Sequence, residues 1–207
     1  NSSRLKFFFT CFAIFAIIDL AILFLFYYPG ITTNDSLDEI NQALSGVYSN
    51  HHPFYFTLLI KFFLSIGIDI FHDINSGIAL FSIFQIIVIS SAFSYSLLTL
   101  YEKGVSKKLL LIIATLIAIL PYNITYSFTM WKDVLFGALF LVFAVSLYRY
   151  FSFPSPKRRA VYMLIFMSAI LISLYRSNAF IAIIASVILF FIIFKKLHLK
   201  LGIVLVS

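Results

Sequence analysis

The chain has 207 residues, of which 62% are hydrophobic and 11% charged, with a mean hydropathy of +1.06. A soluble domain carries about 25% charged residues, so a water-soluble enzyme is excluded, as are a disordered chain and a nucleic-acid-binding domain. The single cysteine, Cys11, excludes a disulfide scaffold, and the net charge of +7 reads as an orientation label, since basic residues gather on the cytoplasmic face of a membrane.

A membrane-crossing helix needs roughly 20 apolar residues. Candidate runs cover residues 7–28, 54–71, 78–100, 109–128, 134–150, 161–175 and 179–194. The first is too long and continuous for a signal peptide, and no small-residue cleavage pattern follows it. The chain does not begin with Met, and Leu201–Ser207 resembles the start of another apolar segment, so the sequence reads as part of a longer protein.

Charge placement chooses among the runs. Twelve basic residues flank them: Arg4, Lys6, Lys103, Lys107, Lys108, Arg149, Lys157, Arg158, Arg159, Lys195, Lys196 and Lys200. If all seven runs cross, with the N-terminus inside, ten of the twelve fall outside. If 54–71 does not cross, all twelve lie inside, and the positive-inside rule favours that arrangement. Lys61, Gly67 and Asp69 within 54–71 suit a segment lying in the interface. A third arrangement makes the Pro121-broken run 109–128 re-entrant and misplaces only the Lys103 cluster. The expectation is an all-α polytopic membrane protein with spans near 7–28, 78–100, 109–128, 134–150, 161–175 and 179–194. Its first outer loop, 29–77, carries surface-lying helices, and six of the eight acidic residues fall on the outer side.

In that loop, Pro29-Gly30 marks a turn. Ser36 followed by Glu39 matches a capping box. Leu37, Ile40, Leu44 and Val47 form an apolar stripe, and Asp35, Asp38, Glu39 and Gln42 form the opposite, polar face. Gly46 ends the helix. Asp38 and Glu39 are expected to be solvated, whereas Asp35 stands just ahead of the helix at the exit of the first span. The loop closes with His51-His52-Pro53. Two adjacent His side chains diverge, and no third ligand stands at metal-site spacing, so a phosphate or sugar contact suits them better than a shared metal.

Three basic residues escape the cytoplasmic clusters: Lys61, Lys132 and Arg176. Trp131 is an interface anchor. Lys132 and Asp133 either neutralise each other, or Lys132 holds an anion while Asp133 orients it or the acceptor. Arg176, in Tyr175-Arg176-Ser177-Asn178, sits at or just below the outer surface, where an Arg is expensive and its fork suits phosphate. Asp19, within the first span, is either an ion or proton site or a partner of a polar group such as Gln85.

Asp35, His51, His52, Lys132, Asp133 and Arg176 therefore form one set of acids and cations at the outer boundary. Such a set suits an anionic lipid head group beside a carboxylate that takes a proton from an acceptor hydroxyl. In layout the chain resembles the GT-C superfamily of polytopic glycosyltransferases, which includes protein O-mannosyltransferases and aminoarabinose transferases. It is also similar to a bacterial subgroup of unassigned membrane glycosyltransferases. The stretches that carry the likeness are Tyr28-Pro29-Gly30 with Asp35-Ser36, His51-His52-Pro53, Trp131-Lys132-Asp133, and Tyr175-Arg176-Ser177-Asn178.

The resemblance implies a GT-C-like helix bundle in the bacterial cytoplasmic membrane, with its active site outside. It implies a polyprenyl-phosphate sugar as donor and an envelope glycan, lipid or protein as acceptor. Asp35 takes the position of the family's first-loop acid, the catalytic base. The charge argument makes Lys132 and Arg176 phosphate contacts, with His51, His52 and Asp133 also binding substrate. The family often has two adjacent acids there, whereas Ser36 follows Asp35. The resemblance fixes no cofactor, and a divalent metal is left open. The rival function is a transporter or flippase of lipid-linked sugars, which would need a polar path through the spans.

Overall fold

The structure is a computed structural model that describes residues 2–49, 53–153, 158–176, 181–189 and 191–193. It is helical apart from two short strands. In chain order come α1 (Ser2–Ile22), a π-helical turn (Leu23–Tyr27), β1 (Ile31–Thr32), α2 (Asn34–Ser45), α3 (Phe54–Phe71) and α4 (Ile74–Glu102). They are followed by α5 (Lys107–Ala118), α6 (Pro121–Ser127), β2 (Thr129–Met130), α7 (Lys132–Ser152) and α8 (Arg158–Tyr175). Residues 181–189 and 191–193 are also helical.

Among the described residues, four helices are long and apolar enough to cross a membrane: Ser2–Tyr27, α3, α4 and α7. A fifth candidate is the pair α5 and α6, bent by 69°. The break falls at Leu120–Pro121, because Pro121 has no N–H to continue the helix and instead opens α6 at its first turn. The described residues are thus almost entirely helical and compatible with a multi-pass membrane protein.

The helices α1 and α4 run antiparallel. Phe7 stacks on Tyr101 with ring centroids 4.5 Å apart, and Phe15 on Phe93 at 5.2 Å. At one end of the bundle Glu102 pairs with Arg149 at 2.6 Å and with Arg4 at 3.4 Å. Lys103 Nζ donates to Ser152 O at 3.0 Å beside them. Arg4 of α1, Lys103 just after α4 and Arg149 of α7 thereby share one end. The core above them packs Phe7, Cys11, Phe15, Leu97, Leu110 and Ala114, all buried.

The other end holds the long loop. Ser82 Oγ donates to Pro29 O at 3.1 Å, pinning the turn after α1 to α4. Gly30 has φ +139°, and a Cβ there would collide with Ser82 Oγ, so only glycine fits. Pairing of β1 with β2 is parallel, Ile31 opposite Thr129 and Thr32 opposite Met130. Gln85 Nε2 braces β2 by donating to the carbonyls of Tyr126, Ser127 and Thr129 at 3.1, 3.2 and 2.8 Å.

Helix α3 crosses the first turns of α4. Phe56 and Phe63, two turns apart, both pack on Phe81, with centroids 5.9 and 6.0 Å away. In a parallel-sided hairpin turning at His72–Asp73, Phe56 would stand about 13 Å further along α4. Near its other end Gly67 lies against the backbone of Gly77, so both ends of α3 sit where α1 stops and α4 begins. Asp73 starts α4 by accepting hydrogen bonds from Asn75 N at 3.1 Å and Ser76 N at 2.9 Å.

Candidate functional site at the loop end of the bundle

The site begins with a cap. Thr33 Oγ1 accepts from Ser36 N at 3.2 Å, and Ser36 Oγ accepts from Thr33 N at 2.9 Å. This reciprocal box starts α2 three residues earlier than the expected Ser36 cap, so Asp35 lies inside the first helical turn rather than ahead of it. Gly46, at φ +74°, ends α2 by donating from its N–H to Gln42 O at 3.0 Å. The Ser36 hydroxyl also donates to Met130 O. Together with the β1–β2 pair, that bond fixes α2 over the start of α7.

Two ion pairs result. Lys132 Nζ lies 3.4 Å from Asp35 Oδ2, and Arg176 Nη1 lies 3.0 Å from Asp133 Oδ1. The Lys132 side chain is 20% exposed and the others more so, Asp35 at 48%, Asp133 at 34% and Arg176 at 53%. Arg176 follows the end of α8, with its guanidinium 5.3 Å from the centre of the Phe136 ring on α7. Tyr175, just before it, packs edge-on against Phe56 of α3 at 5.9 Å. Three separate stretches of the chain thus bring Asp35, Lys132, Asp133 and Arg176 to one end of the bundle. His51, His52, Ser177 and Asn178 lie outside the described residues.

The sequence-based expectation for Glu39 is corrected. Asp38 is exposed, but Glu39 is 1% exposed. The side of α2 turned to the protein is Ser36, Glu39, Ile40 and Ala43, while Leu37, Leu44 and Val47 of the expected apolar stripe are exposed. Burial pushes the Glu39 carboxyl up to about 7. Lys132 opposes that rise, and Asp35, Asp133 and Asp38 add to it. Glu39 is therefore an inner acid of the same charge cluster, one helical turn after Asp35. The available cue was its place on the stripe of small residues that also holds Ser36 and Ala43.

A cavity of about 320 Å³ opens beside Asp133 and Trp131 and runs between α4, α6 and α7. Its deeper wall is Ile89 and Phe93 of α4 with Gly137 and Leu141 of α7. The rings of Tyr122, Tyr126 and Trp131 follow one another along one side, at 4.4 and 5.9 Å. Among the described residues no three His, Cys, Asp or Glu side chains stand together to hold a metal ion.

One family model matches, described as a family of unknown function (DUF6020), over residues 43–206. The chain belongs to DUF6020. The region of this DUF6020 member that matches includes Lys132, Asp133 and Arg176, while Asp35 and Glu39 precede it. Neither curated proteins nor solved structures give a match.

Proposed function

We propose that this DUF6020 member is a membrane glycosyltransferase of GT-C type, moving a sugar from a polyprenyl-phosphate donor to an acceptor at the outer face of a bacterial cytoplasmic membrane. One observation carries the proposal. The first-loop acid Asp35 meets the cation Lys132, and Arg176 joins through Asp133, at the bundle end opposite the basic clusters and at the mouth of an apolar cavity.

The exposed pairs are weakly held, so a phosphate can exchange for their carboxylates. Lys132 and Arg176 then hold the donor phosphate, and the apolar cavity beside them accommodates the first part of its lipid chain. Taking Lys132 away from Asp35 releases that carboxylate to act as base. Asp35 removes the proton of an acceptor hydroxyl, and the oxygen attacks the anomeric carbon. The bond from that carbon to the phosphate oxygen breaks, lipid phosphate leaves with the electron pair, and the centre inverts. The placement of α3, with both ends on the loop side, supports a segment lying along the membrane surface over the site.

The test is transfer from a radiolabelled polyprenyl-phosphate sugar by the full-length protein in vesicles. The wild type is expected to transfer label, and Asp35→Asn to fold and insert but lose at least about 100-fold in rate, the contribution of a general base. Full activity in Asp35→Asn sinks the assignment of the base. A change in donor sidedness without transfer points to a flippase instead.

A further inference from the structure

The chemistry proposed above gives no task to a buried acid in the first long helix. Asp19, on α1, is 0% exposed, and both its carboxylate oxygens are buried without a hydrogen-bond partner. Among the described residues it makes no ion pair. The stacks of Phe7 on Tyr101 and Phe15 on Phe93 set the antiparallel register, which puts Asp19 level with Ile89 and Ser90 of α4. Ser127, at the end of α6, is its side-chain neighbour. Ser127 has a single hydroxyl proton, and Ile124 O at 2.9 Å competes with Asp19 for it, so the two carboxylate oxygens have at most this one shared donor. Gln85 Nε2 has two protons, shared among the carbonyls of Tyr126, Ser127 and Thr129. Three oxygens on these two helices are buried without a partner: Asp19 Oδ1 and Oδ2, and Gln85 Oε1, whose amide is tied to the Ser127 carbonyl. The Ser90 hydroxyl, level with Asp19, makes no hydrogen bond either.

We propose that the junction of α1, α4 and α6 binds a desolvated monovalent cation of the sodium class, with Asp19 as its anionic ligand. A lone carboxylate at membrane depth is expensive unless a positive charge neutralises it. Carboxylate, amide and hydroxyl oxygens are hard ligands, suited to a hard cation. One carboxylate balances one charge, whereas a divalent ion would leave a net charge buried.

The cation enters from the loop end. Ser127 and Asn123 line the cavity that opens beside Asp133. In the other direction Phe15, Cys11, Phe7 and Leu97 are buried in a closed apolar core, so the site is a dead end and not a conduction path. A bound cation ties the end of α6 to α1 and α4. From that end β2 runs directly to Lys132, so the cation stiffens the support of the outer charge cluster. The inference is independent of the reaction assigned to that cluster.

The test uses the full-length protein in detergent, with intrinsic tryptophan fluorescence, to which Trp131 contributes, as the unfolding signal. Sodium chloride replaces choline chloride at constant ionic strength and pH 7.5. The expected result is a saturable rise in Tm of about 5 °C or more at 100-fold above half-saturation. Asp19→Asn removes the sodium dependence, and Asp19→Glu, which displaces the carboxylate by one methylene, weakens sodium affinity at least about tenfold. An equal rise in choline overturns the proposal. So does a sodium effect that survives in Asp19→Asn, or a Tm that depends on pH and not on sodium. Should Asp19→Asn fail to fold, the sodium-against-choline comparison on the wild type decides alone.

Discussion

Glu39 gives the structure a measurable signature that needs no substrate. Burial raises its carboxyl from the ordinary 4.5 to about 7, against the pull of Lys132. Below the lower value both the folded and the unfolded chain hold the proton, and Glu39 contributes nothing to pH dependence. Between the two values only the folded chain keeps it, so the unfolded state gains by ionising and stability falls as pH rises. Above about 7 the loss is complete, at about 3 kcal/mol for that interval. Glu39→Gln keeps the shape and removes the proton equilibrium. Lys132 is not stranded by the change, because Asp35 stays 3.4 Å away. The variant is therefore expected to match the wild type at pH 4.5 and to exceed it by about 3 kcal/mol at pH 8. Denaturant titration of both proteins in one detergent from pH 4.5 to 8.5 measures the difference, in which the other titrating groups cancel. Parallel curves would refute the buried-acid argument, and so would a variant less stable than the wild type at pH 8.

Other predictions follow from the same geometry. Arg176→Lys keeps the charge but loses the planar fork and its packing over Phe136, and is expected to raise KM for the lipid donor about tenfold at unchanged fold. Lys132→Met is expected to weaken donor binding by a similar factor and to move the Glu39 transition to higher pH, since Lys132 is the one charge that lowers it; a pH titration of stability reads the second effect. Gly30→Ala places a Cβ on Ser82 Oγ at a φ that L-residues avoid, and is expected to destabilise by at least about 2 kcal/mol, with the loop of residues 29–49 cut faster by protease. Thr33→Ala removes the cap of α2 and is expected to cost about 1 kcal/mol, measured by the same denaturant titration.

Helices α1, α4 and α7 were legible because their apolar runs are long enough to span a membrane, and Pro121 marked the break between α5 and α6. The ends were less legible. Asp73 extends α4 beyond its apolar run by capping, and hydropathy does not register a cap. The β1–β2 pair was invisible, since it joins two residues to two others nearly 100 positions away with no local pattern. Glu39, expected to be solvated, is buried for a physical reason. In a soluble protein the apolar stripe points to the core. Around a bilayer it can point to lipid, leaving small and polar residues for the contact with other helices. Leu37 and Leu44 face outward accordingly, and Ser36, Glu39 and Ala43 face in.

The outer charges were legible as exceptions to an orientation rule, but their pairing was not, because Asp35 and Lys132 are 97 positions apart. That pairing raises the question of whether it is a staple or a ligand site. Helix α2 is already fixed by the β1–β2 pair, the Thr33–Ser36 box and the Ser36–Met130 bond. A half-buried pair 3.4 Å apart, its Asp35 side chain 48% exposed, adds on the order of 1 kcal/mol to that. Asp35→Asn and Arg176→Gln are therefore each expected to shift stability by less than about 1 kcal/mol while abolishing or sharply weakening transfer. Residues kept for the fold would show the opposite split, with unfolding midpoints that drop and activity that recovers when the folded fraction is restored. Measuring both quantities on the same two variants separates the roles, and a stability loss of several kcal/mol in either one would assign its charge to the scaffold.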